Sequence, residues 1–400
     1  MVQLLTVPML SCFLMATVVQ EAASQIYRLP NPGEKAGDFF GVSVDIEGSR
    51  AVVGASGSDS CGPDSGAAFV YEADSTTGHW NHVATLVADD CLPGDFFGRD
   101  VDLSGDRVVV AAFRPAGVTN RPNAAYVFER DRADGTWQQT ARLNEIPSDD
   151  EGAYAAAVAI DGEYVVVTTS GDPVADKYHG AGYVYRKTSE KRGSWRRWQR
   201  IVPSESPSLG VFGTSAVLRD DVLVVGASTY LANRPGSVYF LRLNGSTGQW
   251  EIQQRFGGLN DFFLPVDVRG RRAIVGERRA GSSASGRASV FERGEDGRWS
   301  RSSVVRPARP FPFGAFGSKV ALGDDRALVV GFDEQLRFEF NIDRVVYVFE
   351  NVGATEWRQR HIVDVGEVAF GSDLAVDGGL ALIGKAADAQ PGAAYIVQLH

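Results

Sequence analysis

Two groups of side chains in this sequence have types and spacing suited to chemistry or to gripping a ligand. The first is a set of carboxylates. Gly-Asp-Phe-Phe occurs at 37–40 and again at 94–97, which puts Asp38 and Asp95 in equivalent places, with Asp261 in a third, near Asp89, Asp90, Asp149, Asp150 and Glu151. Paired carboxylates can do acid–base work on a glycosidic bond. The plainer reading is solvated loop acids and turn formers, and it is favoured because nothing singles out two of them. The second group is Ser194-Trp195-Arg196-Arg197-Trp198-Gln199-Arg200, flanked by Lys187, Lys191 and Arg192. Cations interleaved with aromatics suit a sulfated glycan or another anionic surface. A solvated charged strand edge that blocks pairing with another chain accounts for the same residues.

Other chemistry is absent from the sequence. The histidines, His79, His82, His179, His361 and His400, are scattered with no partner at metal-ligand spacing. There is no Gly-x-Ser-x-Gly elbow, phosphate loop or dinucleotide fingerprint, so no cofactor and no catalytic residue are assigned.

The elements that position these residues form a repeat. Its first copy runs Gly37-Asp38-Phe39-Phe40-Gly41, Val42 to Ile46, a turn at 47–50, Ala51-Val52-Val53-Gly54-Ala55, a polar loop, then Gly66 to Glu72, and a last segment opened by Trp80. Six further copies begin at Phe97-Gly98, Tyr154-Ala155, Phe212-Gly213, Phe263-Leu264, Phe316-Gly317 and Phe370-Gly371, at steps of 51 to 58 residues. Each copy holds four short runs rich in Val, Ile, Tyr and Phe separated by turn residues, which reads as four antiparallel strands, here A to D. Four strands per repeat of about 50 residues make a β-propeller blade, so the expectation is an all-β, seven-bladed propeller. The Trp at the start of strand D in six copies reads as blade-to-blade packing rather than carbohydrate stacking. The seventh copy ends at strand C, while Gln25-Ile26-Tyr27-Arg28-Leu29 matches the tail of a strand D. The N-terminal strand is therefore expected to complete the last blade, satisfying both terminal edges at once.

These residues resemble the FG-GAP repeat family, the repeats of the integrin α-subunit propeller and its relatives. The first half of the motif is carried by the Phe-Gly pairs at 40, 97, 212, 316 and 370. The second half is carried by Val53-Gly54-Ala55 and Val225-Gly226-Ala227 and, less closely, by Val275-Gly276, Val330-Gly331 and Ile383-Gly384. Copies three and five depart, with Tyr154-Ala155, Val167-Thr168-Thr169 and Phe263-Leu264. The resemblance covers Gln25 to His400 and implies the fold far more firmly than a function. Calcium-binding blades of the integrin type carry an acidic Asp-x-Asp-x-Asp-Gly-like loop between strands A and B. The corresponding turns here, such as Ile46-Glu47-Gly48-Ser49-Arg50 and Val268-Arg269-Gly270-Arg271-Arg272, hold too few carboxylates. Calcium sites, and adhesion that depends on them, are therefore not expected.

The formal charge of −10 argues against nucleic acid as a partner. It is unevenly spread. Residues 25–185 hold 11 Lys/Arg against 25 Asp/Glu, residues 186–310 hold 22 against 11, and residues 311–400 hold 7 against 13. Residues 1–24 contain an uncharged apolar run from Leu4 to Val19 followed by Ala22-Ala23-Ser24, which reads as a secretory signal even without a basic start. No other segment is long and apolar enough to span a bilayer. Two cysteines follow, Cys61 in a B-to-C loop and Cys91 in the next D-to-A loop; both loops emerge on the same face, so a Cys61–Cys91 disulfide is expected in an oxidising compartment. Asn244-Gly245-Ser246 is a glycosylation acceptor if the source is eukaryotic.

Together these readings predict a secreted or cell-surface monomer, one propeller over 25–400, that acts without catalysis as a binding, adhesion or scaffold module for an extracellular protein or glycan. Its partner would be anionic if it docks at Arg196, Arg197, Trp198 and Arg200. The competing expectation is an extracellular polysaccharide hydrolase or lyase using Asp38, Asp95 or Asp261 at the pore mouth. The contact face would be that of the D-to-A and B-to-C loops, which vary most among copies, with the longest at 88–97, 171–182 and 332–344.

Overall fold

The computed structural model of the chain describes residues 25–114, 123–143, 154–169, 180–204 except 190 and 192, 210–229, 235–281 except 260 and 262, 284–333, and 344–399 except 354 and 368. The expected signal at 1–24, the acids at 149–151, His179, His400 and most of the loops 171–182 and 332–344 lie outside the described residues.

Alternating and continuous apolar runs form seven four-stranded antiparallel sheets, each one blade. In blade 1, strand A is Phe40–Glu47, B is Arg50–Ala55, C is Ala67–Ala73 and D is Trp80–Leu86. Strand A lies innermost and D outermost. Blade 7 takes strands A to C from Phe370–Asp377, Leu380–Lys385 and Ala393–Gln398, and its outer strand from Ile26–Arg28. The register of that seam is Ile26↔Val397, Tyr27↔Ile396 and Arg28↔Tyr395, extended by Leu29 N donating to Ala394 O at 2.8 Å. The ring is thus closed by the N-terminal strand.

The repeat motif acts at the blade interfaces. In five blades the Phe of Phe-Gly is fully buried and meets the strand C tyrosine of its own blade, as in Phe97–Tyr126 at 5.6 Å and Phe316–Tyr347 at 5.2 Å between centroids. At three interfaces the two motif glycines face each other. A Cβ on Gly54 would stand 2.1 Å from the carbonyl oxygen of Gly98 in the next blade. Gly384 meets Gly41 in the same way at the ring seam, at 2.0 Å. Any side chain at these positions would push the blades apart. The strand D tryptophans pack between blades: Trp80 joins a core cluster containing Leu382, Ala394 and Ile396 of blade 7, and Trp195 packs against strands of blade 2.

Blade 5 breaks the pattern. Its strand C has Ser289 where other blades have Tyr or, in blade 1, Phe69, and the buried Glu277 lies beside it, accepting hydrogen bonds from Ser289 Oγ at 2.6 Å and from Arg287 Nε and Nη2 at 2.9 and 2.7 Å. Leu264 is buried with its carbonyl over Gly226, so the aromatic position is vacated and Phe263 is 61% exposed. The pair Phe263-Leu264 therefore stands at the repeat boundary without the packing role of Phe-Gly.

Candidate functional site in the central channel

The seven strands A surround a central cavity of about 750 Å³. A strand shows alternate residues to one side, and the polar residues at every second position of strand A stack from blade to blade into layers along the channel. The upper layer, at the end bearing the D-to-A and B-to-C loops, contains Ser43, Asp100, Ser215, Lys319 and Asp373. The middle layer contains Asp45, Asp102, Val217 and Asp267, and the lower contains Glu47, Ser104, Asp161, Arg219, Arg269 and Asp377.

These acids solve a problem that the ring creates. The inner edge of each strand A has no strand beside it, and its N–H groups would be left without partners. Carboxylates of one blade accept them from the next. Asp45 takes Leu103 N at 2.9 Å, Asp100 takes Val158 N at 2.7 Å, Asp102 takes Ile160 N at 2.6 Å and Asp267 takes Leu322 N at 2.6 Å. At the seam Asp373 takes Val44 N at 3.0 Å and Asp377 takes Gly48 N at 2.7 Å, while Ser43 Oγ accepts Val101 N at 3.1 Å. Cations balance the charge. Arg219 reaches Asp102 at 3.3 Å and Asp45 at 3.6 Å, Lys319 Nζ donates to Asp373 at 2.9 Å, and Arg269 pairs with Asp377 at 2.7 Å.

The site is wetted by the channel yet enclosed by protein, and its electrostatics follow. Burial raises the pKa of Asp45 well above the ordinary carboxylate value, and Asp102 adds to the shift. Burial pushes Asp100 up to about 7, reinforced by Asp373 and opposed by the Val158 N–H and by Lys319. Burial likewise lifts Asp267 to about 6, against the pull of Arg219. Burial works against the charges of Arg219 and Lys319, but their carboxylate neighbours outweigh it and both pKa values rise.

The residues singled out from the sequence lie elsewhere. Asp38, Asp95 and Asp261 are buried in D-to-A loops, outside the channel lining, and brace those loops. Asp38 accepts from Asn31 Nδ2 at 2.8 Å, Phe40 N at 3.0 Å and Gly392 N at 3.1 Å. Asp95 pairs with the buried Arg114 at 2.6 Å, and Asp261 accepts from Arg278 N at 2.7 Å and Nε at 2.9 Å. Being enclosed and already bonded, these three are not carboxylates at the pore mouth. Arg196, Arg197, Trp198 and Arg200 sit exposed on strand D of blade 3 (Trp195–Ile201). Trp198 clamps blade 3 to blade 4, donating its indole N–H to Gly248 O at 2.6 Å with Arg186 5.2 Å from its ring centroid.

Cys61 and Cys91 form a disulfide that ties blade 1 to the loop entering blade 2. The Asn244 side chain closes its own turn, accepting from Ser246 N at 3.0 Å and donating to Glu251 at 2.9 Å. Among the described residues no group of three or more His, Cys, Asp or Glu is placed to hold a metal ion, and no helix is long and apolar enough to cross a membrane.

The channel lining was missed in the sequence although its signal was present. Written in register, the repeats stack Asp45, Asp102 and Asp267 in one column and Glu47, Asp161 and Asp377 in another.

A closed ring of seven four-stranded blades around a polar channel defines the chain as a β-propeller. The FG-GAP repeat family model matches its residues 24–71 and 80–128. Curated protein sequences give no match. Among solved structures the chain is similar to the periplasmic gluconolactonase of Pseudomonas aeruginosa, at 17% identity and a TM-score of 0.51 over 80% of this chain and 85% of that one. It is also similar to Sqt1 of Saccharomyces cerevisiae, at 11% identity and a TM-score of 0.46 over 88% and 81%. At 17% identity the likeness to the gluconolactonase is one of fold alone.

Proposed function

We propose that the protein is a secreted or cell-surface binding or scaffold module that presents the loop-bearing face of its propeller to an extracellular protein or glycan without turning it over. The commitment of the channel carboxylates carries this reading. Asp45, Asp100, Asp102, Asp267, Asp373 and Asp377 each hold a backbone N–H of the following blade, so the polar lining serves ring rigidity. A rigid ring with variable loops on one face is a form suited to recognition. The Cys61–Cys91 bond fits an oxidising compartment. The test is to screen the purified protein on glycan and extracellular-protein arrays at low and high salt, with and without EDTA. Binding that survives EDTA and weakens with salt supports a calcium-independent module; silence on every array would count against it.

One observation favours a second reading, an extracellular polysaccharide hydrolase or lyase. Asp100, with its pKa at about 7, shares Ser43 with Asp373, which is paired to Lys319, all in a cavity that would admit a sugar unit. Product release from a polysaccharide panel, abolished by Asp100→Asn, would establish that reading.

A further inference from the structure

We infer that the upper mouth of the channel binds an acidic sugar unit, a uronate or a sugar sulfate, with Arg99, Arg344 and Lys319 facing the charged group and Phe263 the sugar ring. The inference rests on the binding reading above. Four cations, Arg99, Arg278, Lys319 and Arg344, come from three blades to line one end of the same cavity. Two of them are neutralised, Lys319 by Asp373 at 2.9 Å and Arg278 by Asp261 at 2.9 Å. Arg99 and Arg344 have no carboxylate partner among the described residues. Burial and the neighbouring Arg278 depress the pKa of Arg344, and Arg99 opposes the charge of Lys319. Like charges gathered in an enclosed space repel one another, and an anion seated among them relieves that repulsion.

The aromatic component follows from the irregularity of blade 5. With Ser289 at the aromatic position and Glu277 beside it, Phe263 is released from the core and lies exposed at the channel lining, with the Arg278 guanidinium 5.7 Å from its ring centroid. An apolar ring face beside cations offers a platform for the C–H face of a pyranose. The upper layer supplies Ser43, Ser215 and the carboxyl groups of Asp100 and Asp373 as partners for hydroxyl groups. A cavity of about 750 Å³ lies within the range of small-ligand sites.

The experiment is saturation-transfer NMR and calorimetric titration of the whole protein with glucuronate, glucose 6-sulfate, glucose and inorganic sulfate. Variants are Arg99→Gln/Arg344→Gln and Phe263→Ala, all at the channel mouth; their urea midpoints are compared with the wild type. The expected result is binding of one or both acidic sugars, at least tenfold stronger than glucose or sulfate. The double variant should lose at least tenfold, and Phe263→Ala should weaken the sugars while leaving sulfate unchanged. The stronger of the two acidic sugars identifies the carboxylate or the sulfate as the natural group. Equal binding of sulfate and glucose 6-sulfate, or acidic-sugar binding untouched by the variants, would overturn the inference. So would the absence of binding by either acidic sugar. If the arrays still capture the protein in that last case, the binding function stands and only this site falls.

Discussion

Replacing Asp102 with Ala removes one fastener between blades 2 and 3 and tests whether the channel acids hold the ring. Asp102 accepts the Ile160 N–H at 2.6 Å and pairs with Arg219 at 3.3 Å. A hydrogen bond to a charged group contributes about 1.5–3 kcal/mol. Breaking an enclosed ion pair costs about 3–5 kcal/mol when the partner charge is stranded. Here Arg219 keeps Asp45 at 3.6 Å, and the channel gives both orphaned groups access to water, so the lower end of each range applies. The ion-pair figure already contains the loss of Asp102's own bonds, so the two are not summed and the expected loss is about 3 kcal/mol for Asp102→Ala. Asp102→Asn retains an acceptor for Ile160 and should lose about half of that. Equilibrium urea denaturation followed by far-UV circular dichroism reads both. A midpoint for Asp102→Ala shifted by less than about 0.5 kcal/mol equivalent would refute the fastener role, because surface changes alone fall within that margin.

Three further outcomes are expected. Deleting Gln25 to Leu29 removes the outer strand of blade 7, including Leu29, which is 1% exposed. It should lower the melting temperature clearly more than removing His400, and equal effects would undo the closure. Reducing the Cys61–Cys91 bond, whose cysteines are 30 residues apart, should cost about 3.6 kcal/mol on loop entropy, read as a shift of the urea midpoint on adding a reductant. Asp100 is held at about 7 when folded and at its ordinary, lower value when unfolded, so the folded state retains a proton that the unfolded chain has released. Stability from this group is therefore present at low pH and is lost as pH rises from about 4 to 7. Across that window the wild type should lose stability relative to Asp100→Asn, and parallel pH profiles for the two would contradict the assignment.

The fold was legible because its determinants are local and repeated. Phe-Gly pairs mark the start of the inner strand in five copies, Val-Gly or Ile-Gly pairs mark the facing strand in five, and where the two glycines meet the backbone contact permits no Cβ. The channel was harder to read because it depends on which strand is innermost and which side of it faces inward. Asp102 looks no different in sequence from Asp38. One points into the channel and the other is turned into a loop by Asn31, Phe40 and Gly392, a contact set assembled from residues up to 354 positions away. Trp198 and its arginines were recognised as exposed, but the hydrogen bond of Trp198 to Gly248 in the neighbouring blade was beyond a single-strand reading. Phe263 was aligned as a motif aromatic. Its release could have been suspected from Ser289, where other copies carry an aromatic residue, since a buried ring without its edge-on partner loses its reason to stay.

The proposed function is recognition without chemistry. The most direct measurement is to take whichever glycan or protein the arrays capture, incubate it with the protein for many hours, and weigh it by mass spectrometry beside a parallel incubation with Asp100→Asn. A module that only binds leaves the ligand unchanged in both. Cleaved ligand from the wild type and intact ligand from the variant would contradict it and make the channel an active site.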